Sequence, residues 1–271
     1  MTQDFLRGPF GRLGSPVCRI GLSATYRPGR ETVFKALDEG LNYFLYFGFD
    51  NHMTSVLRET IQSRRDQYVI ATGAYNYIWG HQNLRRTLEK RLRQIRTDYI
   101  DVFHFLGVTR RAYFTPRVRE ELQAVRESGL VRAVSISTHD REFAVELARE
   151  GVLDAMMIRY NAAHRGAETD IFPHLPESNP AVVGFTATRW TRLLRPPSGY
   201  PKGARVPNAG MCYRFVLTNP AVHVCLMAPG SLKQFEANLA GIRQGPLHAE
   251  DMEFMRSFGD AVESAEKRRT E

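Results

Sequence analysis

Residues 99–107, YIDVFHFLG, decide the fold. Apart from Asp101 and His104 the run is apolar. A strand that is apolar on both faces is covered on both faces, as in a parallel sheet packed between helices. The flanking segments supply those helices. On one side, Leu84, Leu88, Leu92 and Ile95 form a single apolar stripe with charge on the remaining positions, the pattern of a surface helix. On the other side, Pro116 sits at a helix start and Val118, Leu122 and Val125 repeat at helical spacing up to Gly129. The next segment, LVRAVSIS at 130–137, is again a strand.

The same alternation runs outward in both directions. A short hairpin with turn signals at Gly11 and Gly14 comes first, then a strand VCRIGLSA at 17–24. A helix follows from Arg30 to Glu39, stopped by Gly40. Further strands are expected at 41–47, 68–74, 155–161, 181–187 and 223–228. Helices are expected at 53–63, after the capping Asp140, and at 209–217, 232–239 and 249–266, with a Pro- and Gly-rich loop over 191–209. Eight strands alternating with helices form either an open doubly wound sheet or a closed (β/α)8 TIM barrel. The count of eight, and the lack of a glycine-rich fingerprint after the first strand, favour the barrel. With no repeat or low-complexity tract, residues 1–271 are expected to form one domain.

The totals narrow the function. A hydrophobic content of 43% suits a sizeable core. No apolar run is long enough to span a membrane, and the N-terminus MTQDFLRGPFGRLG does not read as a signal peptide. A cytoplasmic location is the resulting expectation. The formal charge of +8 is mostly arginine spread along the chain. No aromatic-basic recognition motif accompanies it, so an anionic substrate or cofactor explains it more simply than nucleic acid. Cys18, Cys212 and Cys225 are far apart and match no zinc spacing. They read as buried free thiols, and no metal is expected. The sequence does not set the oligomeric state.

The order of segments resembles the aldo-keto reductase family. The likeness runs over nearly the whole chain: GLNYF at 40–44 against G-x-N-F-F, LEKRLRQIRTDYIDVFHF at 88–105 against L-x-x-S-L-x-x-L-x-x-D-Y-I-D-L-Y-x-x-H, LVRAVSIS against K-I-R-A-I-G-V-S, and LTNPAVHVCLMAPGSLKQFEANL at 217–239 against the family's closing motif. The resemblance implies carbonyl reduction with NADPH. In that chemistry a tyrosine protonates the alkoxide left by hydride, with Asp, Lys and His beside it. A nearby ammonium lowers the tyrosine pKa from its ordinary value of about 10.

At the four matching positions this chain has other residues. The Asp position is Leu45, the Tyr position falls at Asp50 or Phe49, the Lys position is Gly73 and the His position is Leu106. The carboxamide contacts become Ser137, Thr138 and Met157, and the stacking tyrosine becomes Phe185. Gly230, Ser231, Lys233, Gln234 and Asn238 resemble the loop and helix start that receive the 2′-phosphate and adenine of NADP(H). A helix N-terminus with a lysine suits a phosphate electrostatically. The alternative there is a plain surface turn with a helix cap.

Strand alternation then gives the neighbours that line the mouth. Inward parity selects Tyr75, His104, Arg159, Asn161, His139 and Arg189, and turns Tyr46 outward. His104 reads as a core histidine or a relocated acid. Tyr75 or Tyr77 is a relocated proton donor or a packing residue. RYNAAHRGAE at 159–168 places Arg159, Asn161, His164 and Arg165 just past a strand. Arg159 there is either paired internally, with Asp50 or Glu168, or anchors a carboxylate or phosphate. The candidate catalytic set is Tyr75, His104, Arg159 and His164. Phe47, Asn161, Arg189 and Trp190 are the candidate substrate contacts. Three functions compete: an NADP(H)-dependent oxidoreductase with a degenerate tetrad acting on a small biosynthetic intermediate, a repurposed cyclase, dehydratase or lyase needing no cofactor, and a non-catalytic binding protein.

Overall fold

The computed structural model describes residues 4–75, 83–175 and 179–270. Two short strands, β1 (Arg7–Pro9) and β2 (Pro16–Cys18), pair antiparallel. Eight more form a closed parallel barrel: β3 (Ile20–Ser23), β4 (Tyr43–Leu45), β5 (Val69–Tyr75), β6 (Ile100–Val108), β7 (Val131–Thr138), β8 (Ala155–Arg159), β9 (Ala181–Phe185) and β10 (Val224–Met227), with β10 closing on β3. The barrel and its hairpin are those expected from the strand count.

Helices α1 (Arg30–Asp38), α2 (Asn51–Thr60), α3 (Leu84–Ile95), α4 (Pro116–Glu127), α5 (Arg141–Arg149), α7 (Ala209–Thr218) and α8 (Leu232–Ile242) cover the outside. Between β8 and β9 a single turn, α6 (Ala167–Asp170), stands in for a full helix. Local chemistry explains the starts. Asp50, Asn83, Thr115, Asp140, Asn208 and Ser231 each cap their helix with a side-chain oxygen, and Pro116 occupies the first turn of α4. The apolar stripe of α3 is buried as its spacing dictates.

Some boundaries differ from the sequence expectation. VCRIGLSA is two strands rather than one. The chain breaks at Arg19, whose guanidinium donates to the carbonyls of Phe5, Leu217 and Val222 and so ties the hairpin to the end of α7. The hairpin closes the bottom of the barrel, where Phe10 packs on Tyr43 at 5.6 Å. Two buried carboxylates fasten the strand starts. Asp101 accepts from the Ile70 backbone, Arg65 and Arg132, and Asp154 accepts from the Val134 backbone, Arg12 and Arg126. Burial raises the Asp101 carboxyl, against the opposing field of Arg65.

The last helix, α9 (Ala249–Thr270), lies across the barrel mouth on the β8 side. A side chain at Gly259 would come within 2.1 Å of the Ala162 carbonyl oxygen, so only glycine permits this approach. Among the described residues no helix is long and apolar enough to cross a membrane.

Candidate active site

The barrel interior is layered. In the lower layer His104 is fully enclosed, with Nδ1 2.9 Å from the Ser135 hydroxyl and Nε2 3.4 Å from the Tyr43 hydroxyl. Gly21 makes room for the Tyr43 ring, since a Cβ there would meet it at 2.6 Å. Burial pushes the imidazole down to about 3, so it is neutral. A histidine sealed in the core and hydrogen-bonded on both nitrogens reaches no substrate. The catalytic assignment of His104 is therefore corrected to a structural one.

Above it lie Leu45, Gly73, Leu106, Ser137 and Met157. Leu45 and Leu106 are buried. A Cβ on Gly73 would fall 2.2 Å from the His104 carbonyl oxygen. At the rim, Phe47 stacks on Phe49 at 5.4 Å and meets the Tyr75 ring at 5.8 Å. Asp50 is committed elsewhere: its carboxylate accepts from the backbone of Phe47 and Thr54 as the cap of α2. Tyr46 turns outward, donating to the Arg91 carbonyl of α3 at 2.8 Å. Tyr77 lies outside the described residues.

A cavity of about 130 Å³ opens at the mouth beside Ser23, Tyr26, Met157, Phe185, Trp190 and Tyr213. Phe185 is half-buried at the end of β9, and the His139 ring lies near parallel to it at 6.2 Å. Trp190 is half-exposed. Ser137 is nearly buried, and the Thr138 hydroxyl accepts from the Asp140 backbone.

The loops after β8 and β9 differ from their sequence reading at one residue each. Asn161 is wholly buried. It donates to the Thr186 carbonyl and accepts from the Ala163 backbone, stapling the β8 and β9 loops together. Its assignment as a substrate contact is corrected accordingly. Arg189 is also buried and forms an ion pair with Glu266 of α9, which Arg192 shares. Arg189 is thus first a clamp on the loop over the mouth.

Arg159 and His164 do come together. They line a cavity of about 300 Å³ with Thr138, His139, Arg165 and Glu263. Arg159 pairs with neither residue proposed for it. Asp50 caps α2, and Glu168 takes Arg256 and the Tyr160 hydroxyl. Among the described residues Arg159 has no hydrogen-bond or ion-pair partner. Burial, and then the charges of Arg189 and Arg141, lower its pKa. The same causes act on His164, where burial, Arg159 and Arg189 bring the imidazole down to about 4. His139 is lowered by burial and by Arg159.

Across the mouth, Ser231 caps α8 by accepting from the Gln234 backbone, and Gln234 accepts from the Gly230 backbone at 2.7 Å. Lys233 is exposed and has no partner among the described residues. A Cβ on Gly230 would meet only Gln234, at 3.6 Å, so the turn is open to an approaching group. Asn238 lies buried further along α8.

Sequence reasoning did not find the part played by α9. Glu263 and Glu266 bring acid to the mouth from a helix far away in the chain, and nothing local marks them among the many charges of that helix.

A model described as the aldo/keto reductase family matches residues 29–194. An uncharacterized oxidoreductase of Bacillus subtilis, YqkF, is 24% identical over 200 residues, covering 68% of this chain. The chain spans 64% of that curated relative's length. The aldo-keto reductase AKR11C1 of Bacillus halodurans superposes in its holo form with a TM-score of 0.75 at 19% identity, covering 93% of this chain and 95% of that one. Its apo form gives 0.70 at 20% identity over 90% and 92%. These likenesses are to the fold.

Proposed function

The chain belongs to the aldo/keto reductase family, and from that premise we propose that it is an NADP(H)-binding oxidoreductase working without the usual Asp/Tyr/Lys/His tetrad, on a small biosynthetic intermediate. One observation carries the cofactor reading. Lys233 is exposed and unpaired among the described residues, beside the open Gly230 turn at the N-terminus of α8. Unpaired backbone N–H groups, the helix dipole and an ammonium favour a phosphate there. Gly230, Ser231, Lys233, Gln234 and Asn238 would hold the adenosine end. Phe185 would offer its face and Ser137 its hydroxyl at the other end. Met157, which has no amide, makes that second end weaker than the first.

When bound, the dinucleotide supplies or accepts a hydride. The chain's own residues then set what the substrate must be. Leu45, Gly73 and Leu106 carry no proton, and Asp50 is held by its cap. Tyr75, packed at the rim against Phe47, would take the place of the lost phenol. An aldehyde or ketone would leave an alkoxide needing a strong, well-placed acid. An iminium already bears positive charge, and hydride addition gives a neutral amine with no oxyanion to protonate. Such a substrate relaxes the demand for the tetrad.

The test is a fluorescence titration with NADPH. Saturable binding is expected, weakened about tenfold or more by Lys233→Glu, a change of about 1.4 kcal/mol. No binding at millimolar cofactor sinks the reading.

A second reading, a cyclase, dehydratase or lyase acting without cofactor, is favoured by the convergence of Arg159 and His164 in one pocket. It requires turnover with no dinucleotide present. Unchanged turnover in both Arg159→Ala and His164→Ala would remove it.

A further inference from the structure

The groove beyond the ends of β7 and β8 holds more unsatisfied polar chemistry than the central mouth. Arg159, the last residue of β8, is half-buried and unpartnered among the described residues. Desolvating a guanidinium without a partner is costly. The His164 Nε2 is sealed from solvent and also lacks a partner. So do the Thr186 hydroxyl and the Arg189 Nη1 on the adjoining loop. That loop is strained as well: Thr186, Arg189, Trp190 and Thr191 all have left-handed backbones, with φ of 62°, 51°, 49° and 69°. Of these groups only Arg159 and the His164 ring line the open pocket, and an unpartnered, half-buried guanidinium on its wall points to a missing ligand.

The charges say which kind. Arg141, Arg165 and Lys267 each have a carboxylate, from Asp170, Asp260 and Glu263. Arg189 and Arg192 share one, Glu266. Arg159 has none. The cluster therefore has more positive groups than carboxylates. His139 and His164 are neutral and can each donate one hydrogen bond. A free arginine fork beside neutral imidazole donors in a positive field fits an oxyanion.

We propose that this pocket holds the oxyacid group of the substrate, a carboxylate or a phosphate. The inference rests on the oxidoreductase reading and specifies its substrate class. Arg159 stands opposite Phe185 in the β8–β9 register. An acid held by Arg159 thus has the rest of its molecule beside Phe185, where Tyr26 and Trp190 form an aromatic wall. The substrate is a small molecule with an apolar body and an acidic end.

The test titrates inorganic phosphate and, separately, acetate into the full chain at low ionic strength. Calorimetry gives the affinity, and the imidazole NMR signal of His164 gives the site. Saturable binding is expected, with the His164 signal moving and its titration midpoint rising as the anion offsets Arg159. Tighter phosphate binding identifies a phosphate group, and tighter acetate binding a carboxylate; both support the pocket. Arg159→Met should weaken binding about tenfold or more, Arg159→Lys less, and His164→Gln should remove the NMR signature with the chain still folded by circular dichroism. No saturation with either anion, or wild-type affinity in Arg159→Met, overturns the proposal. Displacement of the bound anion by NADP+ also overturns it, because the pocket would then belong to the cofactor. Parallel NADPH titrations separate the two readings. NADPH binding without anion binding defeats the pocket alone, and anion binding at Arg159 without NADPH binding defeats the cofactor alone.

Discussion

The substitution His104→Asn tests whether this residue belongs to the core or to the chemistry. His104 is fully buried, and its imidazole is lowered from an ordinary 6.5 to about 3. The sign follows from proton uptake. Below 6.5 the unfolded chain binds a proton at His104 that the folded chain refuses down to about 3. Stability contributed by the neutral form is thus complete above that window and is lost as the pH falls through it. The whole shift corresponds to at most about 5 kcal/mol, or about 1.4 kcal/mol for each pH unit crossed. His223 and His164, both brought down to about 4, add to the same acid sensitivity. Urea unfolding followed by circular dichroism at about pH 5.5 and about pH 4.5 measures the slope directly. An asparagine has no proton to gain, so the variant should lose less stability between those two points, by about 1.4 kcal/mol. The carboxylates titrate alike in both proteins and cancel. Equal slopes in the two proteins would refute the placement of His104 as a neutral core residue.

Three further outcomes follow from the same geometry. Gly73→Ala should cost about 3 kcal/mol or more, because its Cβ meets a backbone oxygen at 2.2 Å rather than a yielding side chain; thermal unfolding measures this, and Gly73→Lys should fail for the same reason to rebuild the family's lysine. Asp154→Asn should lower stability by about 3–5 kcal/mol, since it breaks two arginine pairs and weakens the bond to the Val134 backbone; a loss below about 1 kcal/mol in denaturant melts would contradict the fastening of the strand starts. Tyr46→Phe should cost about 1 kcal/mol by removing the bond to the Arg91 carbonyl, and should leave NADPH affinity unchanged because the hydroxyl faces α3.

The sequence by itself determined the architecture. Apolar runs at strand length, helical stripes such as Leu84, Leu88, Leu92 and Ile95, and helix starts at Asp140 and Pro116 are local signals. Their alternation admits few topologies. Side-chain alternation also set Tyr46 outward and Arg159 inward, because a strand has a period of two. Parity also put His104 one layer below Leu106, but it could not show that the imidazole is bonded to Ser135 and Tyr43. Nor could parity show that Asn161 spends its amide on the neighbouring loop. Partnership is a tertiary property. Arg189 and Arg159 read alike as arginines near the mouth, yet α9 returns from far along the chain to give Glu266 to the first and leaves the second alone among the described residues. That difference, set by where a distant helix packs, separates a structural clamp from a charge free to hold a ligand.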